Sequence, residues 1–162
     1  GEALGSAELY AELRRHWREH YDARVRHTAV PVKQGAGEIL LWLAERELPC
    51  ALATSTGREL AELKLQHAGL RAHFRLLVCG GETPRGKPHP DPYLAAAAGL
   101  ELDPSDCWAL EDSNHGVHAA YRAGCTVVQV PDLIFPDDET RALGHRVENS
   151  LLTVLAALES LV

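Results

Sequence analysis

Methionine is missing from all 162 residues, and cysteine is scarce, with four residues and no C-x-x-C pair. Cys50, Cys79, Cys107 and Cys125 stand far apart, each in or beside an apolar run, where a free thiol behaves as a small hydrophobe. That excludes a disulfide framework and fits a reducing compartment, the cytoplasm. The lack of methionine leads to the expectation that the sequence does not begin where translation did, although a removed initiator gives the same absence. No apolar run approaches the roughly 18 residues of a membrane span. No basic stretch followed by an apolar one opens the chain as a secretory signal would.

Positive charge is also short: 16 Lys and Arg stand against 23 Asp and Glu, a formal net charge of −7. A non-specific binder of nucleic acid shows the opposite balance. The one basic concentration, Arg14, Arg15, Arg18, Arg24 and Arg26, alternates with Glu12, Glu19 and Asp22, as on a solvated helix face. Repeats and low-complexity segments are absent.

What is present is ordinary for one globular domain with a substantial core: 46% hydrophobic and 24% charged residues. Leu9, Leu13, Trp17 and Tyr21 recur every four residues, so a helix is expected from Ser6, its N-cap, to about His27. Thr28 to Gly35 reads as a linker broken by Pro31 and Gly35. Beyond it, short apolar runs alternate with helical patterns. Strands are expected at Cys50–Ala53, Leu76–Cys79, Cys107–Leu110 and Thr126–Val130. Helices are expected at 37–47, 58–68, 91–98, 114–123 and 149–161, with Gly124 closing the fourth of these. Uniformly apolar strands separated by helices indicate an α/β fold with a parallel sheet covered on both faces. Ligands of such sheets sit at the carboxyl ends of the strands.

Three polar motifs fall at or near those ends. Thr54-Ser55-Thr56 ends the first strand just before a helix, where hydroxyl and backbone N–H groups suit an oxyanion or phosphate. Capping of that helix by Thr54 or Ser55 is the plainer alternative. Arg58, at the same exit, is a candidate substrate contact, with helix capping or surface exposure as equal alternatives. In Gly86-Lys87-Pro88-His89-Pro90-Asp91-Pro92, three prolines stiffen the backbone around Lys87. A cation held this way suits a fixed countercharge to a phosphoryl group or a carboxylate, or is a solvated loop lysine. Asp91 is expected to cap the next helix. Glu111-Asp112 places two carboxylates at a strand terminus, an oxygen-rich pair suited to Mg²⁺ or simply acids at a helix start. His115 and His118 have no third ligand at suitable spacing, so zinc is not expected.

Taken in order, Ala51-Leu-Ala-Thr54-Ser, Gly86-Lys-Pro-His-Pro-Asp-Pro-Tyr93, Leu110-Glu-Asp-Ser-Asn-His-Gly-Val117 and Ala123-Gly-Cys-Thr-Val-Val-Gln-Val-Pro-Asp-Leu-Ile134 resemble the second to fourth motifs of the haloacid dehalogenase superfamily. They look most like its β-phosphoglucomutase-like branch of sugar-phosphate phosphatases, over roughly residues 30–160. The resemblance implies a Rossmann-like parallel sheet with flanking helices and a helical cap. It implies that Thr54 and the Ser55 backbone bind the transferring phosphoryl group, that Lys87 balances its charge, and that Asp112 with Glu111 holds Mg²⁺. It also implies an aspartyl-phosphate formed by an Asp-x-Asp motif on the first strand. No such strand precedes Thr54. Residues 1–28 resemble the last helix of the cap, and residues 29–162 a core without its first, central strand. Two central strands would then expose unpaired edges, and the chain as given is expected to be inactive. The activity expected of a complete protein is a Mg²⁺-dependent phosphatase acting on a small phosphorylated metabolite, a sugar phosphate first. Alternatives are a phosphomutase using the same site, or a non-catalytic fragment that keeps the fold. The sequence leaves the oligomeric state open.

Overall fold

The structure, a computed structural model, describes residues 7–160, so the N-cap expected at Ser6 lies outside the described residues. Helix α1 runs over Ala7–His27 and α2 over Ala36–Glu45; strand β1 follows at Ala51–Ala53 and helix α3 at Arg58–His67. Strand β2 is Leu76–Val78 and helix α4 is Asp91–Leu100. Strand β3 is Trp108–Glu111, helix α5 is Asn114–Ala123 and strand β4 is Thr126–Gln129. The chain closes with α6 at Asp138–Arg141, β5 at Arg146–Val147 and α7 at Leu151–Glu159. The sequence reading has no counterpart for α6 or β5, because a four-residue helix and a two-residue exposed strand carry no periodicity. The other elements lie where the apolar patterns put them, with β3 extending one residue further to include Glu111. No described helix is long and apolar enough to cross a membrane, and the four cysteines are free thiols.

All strand pairs are parallel, but they form two sheets rather than one: β1–β2, and β3–β4–β5. Adjacent residues of β4 show why both faces are covered. Val127 packs with Ala109, Val117 and Ala120 against α5, whereas Val128 joins Ile39 and Val154 of α2 and α7. Successive side chains of a strand point to opposite faces, so α5 and the α2–α7 pair lie on opposite sides of the sheet. A third cluster, Ala61, Leu77 and Cys79, seats α3 on the small sheet. The linker is anchored as well: Lys33 Nζ donates to Val130 O and Pro131 O, each at 3.1 Å, which fixes it to the carboxyl end of β4.

Between the two sheets lies a groove of about 1020 Å³, walled by β1, β3, α2 and α4. Among the described residues β1 is bonded on one side only, to β2, and β3 on one side only, to β4. Trp108 and Leu110, apolar residues that the pattern assigns to the core, are instead 41% and 36% exposed and line this groove. Both lie on one face of β3, the strand alternating exposed and buried side chains with Ala109 and Glu111 on the other, covered face.

Helix α1 shows the same separation of pattern from burial. Leu9, Leu13 and Trp17 are exposed, although their spacing is that of a packed face. Only its last turns dock. Val25 is buried, Arg26 meets Glu59 at 2.6 Å, and Lys64 Nζ donates to the Tyr21 hydroxyl at 2.9 Å. Arg14, Arg15, Arg24 and Arg26 face solvent, as the alternating charges imply.

Candidate active site

The ladder between β1 and β2 continues one residue beyond the strand, with the Thr54 N–H donating to Val78 O at 2.9 Å. This sets Thr54 at the carboxyl edge of the sheet. Its Oγ1 accepts the Thr56 N–H at 3.1 Å, which turns the chain toward α3. The residue that caps α3 is Gly57, which offers no side-chain bond. Neither Thr54 nor Ser55 is therefore spent on capping, the plainer reading of the motif. The turn is held from the other side by Gly80, whose N–H donates to Thr56 O at 2.9 Å. A Cβ at position 80 would lie 2.3 Å from Ser55 O, so only glycine lets the two loops approach.

Lys87 reaches the same edge from the loop before α4. Its peptide bond to Pro88 is cis. Lys87 Nζ donates to Ala53 O at 3.0 Å, lies 3.5 Å from the Tyr93 hydroxyl and is paired with Glu111 Oε1. The lysine and glutamate side chains are 11% and 6% exposed, so this ion pair is largely withdrawn from water. Tyr93, on α4, also donates to Glu111 Oε1. Burial first, and then the Glu111 carboxylate, push its phenol far above the usual tyrosine range, so it remains a neutral donor. Sequence reasoning assigned no role to Tyr93. The signal that could have found it is its place one turn into α4, six residues after Lys87.

Glu111 ends β3, and its carboxylate lies against the backbone of Gly116. A Cβ there would stand 1.9 Å from Oε2. Ser113 holds the start of α5 by accepting the Gly116 N–H at 3.1 Å, and its Oγ is 3.3 Å from Glu111 Oε2. Asp112 follows Glu111 in the chain. It is exposed, forms no hydrogen bond or ion pair among the described residues, and lines both the groove and a neighbouring cavity of about 590 Å³ beside α5.

Thr54, Ser55, Lys87, Glu111 and Asp112 thus all line one groove, at its polar end. Arg58 is not brought there. Its Nε and Nη2 bind Glu82 at 2.5 and 2.8 Å, Nη2 also reaches Leu77 O at 3.0 Å, and Nη1 faces Glu62 at 3.4 Å. It ties α3 to the loop after β2 and does not line the groove, which corrects its placement as a substrate contact. Asp91 is also corrected. It lies within the first turn of α4, where it binds Arg85 at 2.9 and 3.2 Å, and it makes no cap bond. The two histidines diverge: His118 is buried against Thr140 Oγ1 at 3.3 Å, and His115 is exposed.

The Arg58–Glu82 tie carries a pH prediction. Glu82 is held below its ordinary value by the hydrogen bond from Arg58 and then by the Cys79 N–H. A lowered folded value means that the tie is intact above the ordinary value of 4.5 and is lost as pH falls below it. Arg58→Ala is expected to lower the melting temperature at pH 7, with the gap to wild type closing toward pH 3. A gap independent of pH would contradict this.

Magnesium accepts one or two carboxylates and keeps several waters. Asp112, exposed and without a partner among the described residues, fits that donor chemistry directly, whereas Glu111, whose oxygens are taken by Lys87, Tyr93 and Ser113, fits it through water. They do not form a closed cage, and no group of three or more His, Cys, Asp or Glu side chains converges among the described residues. The charge balance points the same way. Lys87 is neutralised by Glu111, leaving Asp112 as net negative charge at this end of the groove.

Comparison with known proteins decides the family. A sequence profile of the haloacid dehalogenase-like hydrolases matches residues 2–130. The chain belongs to that family. A Drosophila melanogaster protein named "Probable pseudouridine-5'-phosphatase" is 39% identical over 140 residues, covering 80% of this chain and 61% of its own length. Hexitol phosphatase A of Escherichia coli is 36% identical over 126 residues, covering 76% of the chain and 56% of that enzyme. A haloacid dehalogenase family hydrolase from Deinococcus radiodurans, solved with bound phosphate and sodium, superposes with a TM-score of 0.75 at 32% identity, over 88% of this chain and 65% of that one. The chain therefore spans about six-tenths of the length of these three proteins.

Proposed function

We propose that this chain carries the phosphate-handling part of a Mg²⁺-dependent phosphatase for a small phosphorylated metabolite, with sugar phosphates as the first class to test. The observation that carries the reading is the groove between two parallel edges, with Thr54, Ser55, Lys87, Glu111 and Asp112 gathered at one end. Backbone N–H groups beside Thr54 and the Lys87 ammonium would receive the phosphoryl oxygens. Asp112, with Glu111, would hold Mg²⁺, which supplies the positive charge that a dianion needs once Lys87 is paired. Phosphoryl transfer depends mainly on such positioning and charge neutralisation. The names of the relatives, phosphatases of a nucleoside phosphate and of hexitols, support the substrate class.

The nucleophile belongs to the same proposal. An aspartate on a strand seated between β1 and β3 would face Lys87 and Thr54, and would satisfy both open edges. On this reading residues 1–28 are the end of a helical cap, residues 29–162 are the core, and the 162-residue chain alone is inactive. Four free thiols and the absence of a disulfide support a cytoplasmic site of action.

Two preparations test this: the 162-residue chain, and the same chain carrying an N-terminal Asp-x-Asp strand and cap. Inorganic phosphate released from a sugar-phosphate panel, in the second only and abolished by chelation, is the expected result. Isomerised sugar phosphate in place of free phosphate would assign the phosphomutase reading. Turnover by the 162-residue chain itself would overturn the assignment of the nucleophile.

A further inference from the structure

The Lys87 ammonium has three N–H donors, and the structure offers an acceptor for each: Ala53 O at 3.0 Å, the Tyr93 hydroxyl at 3.5 Å and Glu111 Oε1. An ammonium so occupied meets an arriving phosphoryl group only by releasing a partner. Releasing Glu111 is the costly step, because a buried carboxylate left without donors is heavily penalised. Glu111 does not depend on Lys87 alone. The Tyr93 O–H donates to the same Oε1, and Ser113 Oγ stands 3.3 Å from Oε2. The Tyr93 ring also lies 5.1 Å from the ammonium, near enough to attract it whichever acceptor it faces.

We propose that Tyr93 is a positioning residue for Lys87: its hydroxyl keeps the Glu111 carboxylate satisfied while the ammonium turns to an anionic phosphoryl ligand. This rests on the reading of Lys87 as the phosphate countercharge. A phenylalanine would keep the ring and its cation contact but leave Lys87 as the one donor to Glu111 Oε1 among the described residues, locking the ammonium in the ion pair. Loss of the hydroxyl therefore weakens anion binding by tightening the resting pair, the reverse of what loosened packing would do.

Tyr93→Phe separates the two. Trace acetylation of the ligand-free chain, quantified at Lys87 by mass spectrometry, is expected to slow at least threefold, because the amine is held more firmly. An unchanged or faster rate would overturn the proposal. The second readout is inorganic phosphate binding by calorimetry in the presence of Mg²⁺. The dissociation constant is expected to rise at least fivefold in Tyr93→Phe, and the same substitution is expected to have no effect in a Glu111→Gln background, where no carboxylate holds the ammonium. An equal loss in both backgrounds would show a structural role and sink the idea. Failure of the wild-type chain to bind phosphate would count against the reading of the site, whereas the acetylation rate judges Tyr93 without any ligand.

Discussion

Gly116→Ala is expected to destabilise the fold by about 3–5 kcal/mol, the range seen when a buried ion pair loses its geometry and a packed core receives an extra methyl. The added Cβ would lie 1.9 Å from Glu111 Oε2 and 2.0 Å from its carboxyl carbon. Neither neighbour gives way cheaply. Position 116 is fixed by the α5 backbone, and the carboxylate is held by Lys87, Tyr93 and Ser113. Urea denaturation followed by tryptophan fluorescence measures the loss. Gly37→Ala is the control, since nothing lies within 4 Å of its Cβ. It should be neutral, or stabilise by up to about 1 kcal/mol through the helix preference for alanine. If Gly116→Ala unfolds at the wild-type urea concentration, the packing of Glu111 against α5 is wrong.

Lys87→Met is expected to cost a similar amount, about 3–5 kcal/mol, for a different reason: it leaves the Glu111 carboxylate hydrogen-bonded but without a counter-charge in a site where its side chain is 6% exposed. The double variant Lys87→Met, Glu111→Leu removes both charges and should recover at least half of that loss, since an apolar pair of similar volume avoids desolvation altogether. Function should not recover with stability. Phosphate binding is expected to be lost in both variants, because the countercharge is gone in each. A double variant no more stable than the single one would mean that the pair is not the source of the loss.

Much of this architecture was legible in the sequence. Four uniformly apolar strands, helices of about ten residues between them and glycine at the end of α5 follow from local chemistry, because period and backbone preference are properties of neighbouring residues. The gathering of Thr54, Ser55, Lys87, Glu111 and Asp112 was legible too, since each stands at or beside a strand or helix terminus and parallel strands bring those termini to one edge. The short elements α6 and β5 were not, because two to four residues carry too little pattern to register against the surrounding loops.

Other features were decided only in three dimensions. Arg58 sits at a strand exit that suits a substrate contact, yet Glu82, Glu62 and Leu77 O take up its guanidinium. Tyr93 reads as an ordinary core aromatic until α4 brings its hydroxyl to Glu111. Trp108 and Leu110 read as core and line an open groove, because burial depends on what covers their face of the sheet and not on the residue itself. Sequence alone determined which polar residues stand at the strand and helix termini and in what order they occur. The tertiary structure decided which of them share one site, and that Lys87 and Glu111 neutralise each other there. The physical reason is range: propensity and periodicity act over a few residues, whereas charge pairing and edge exposure depend on groups distant in the chain and adjacent in space.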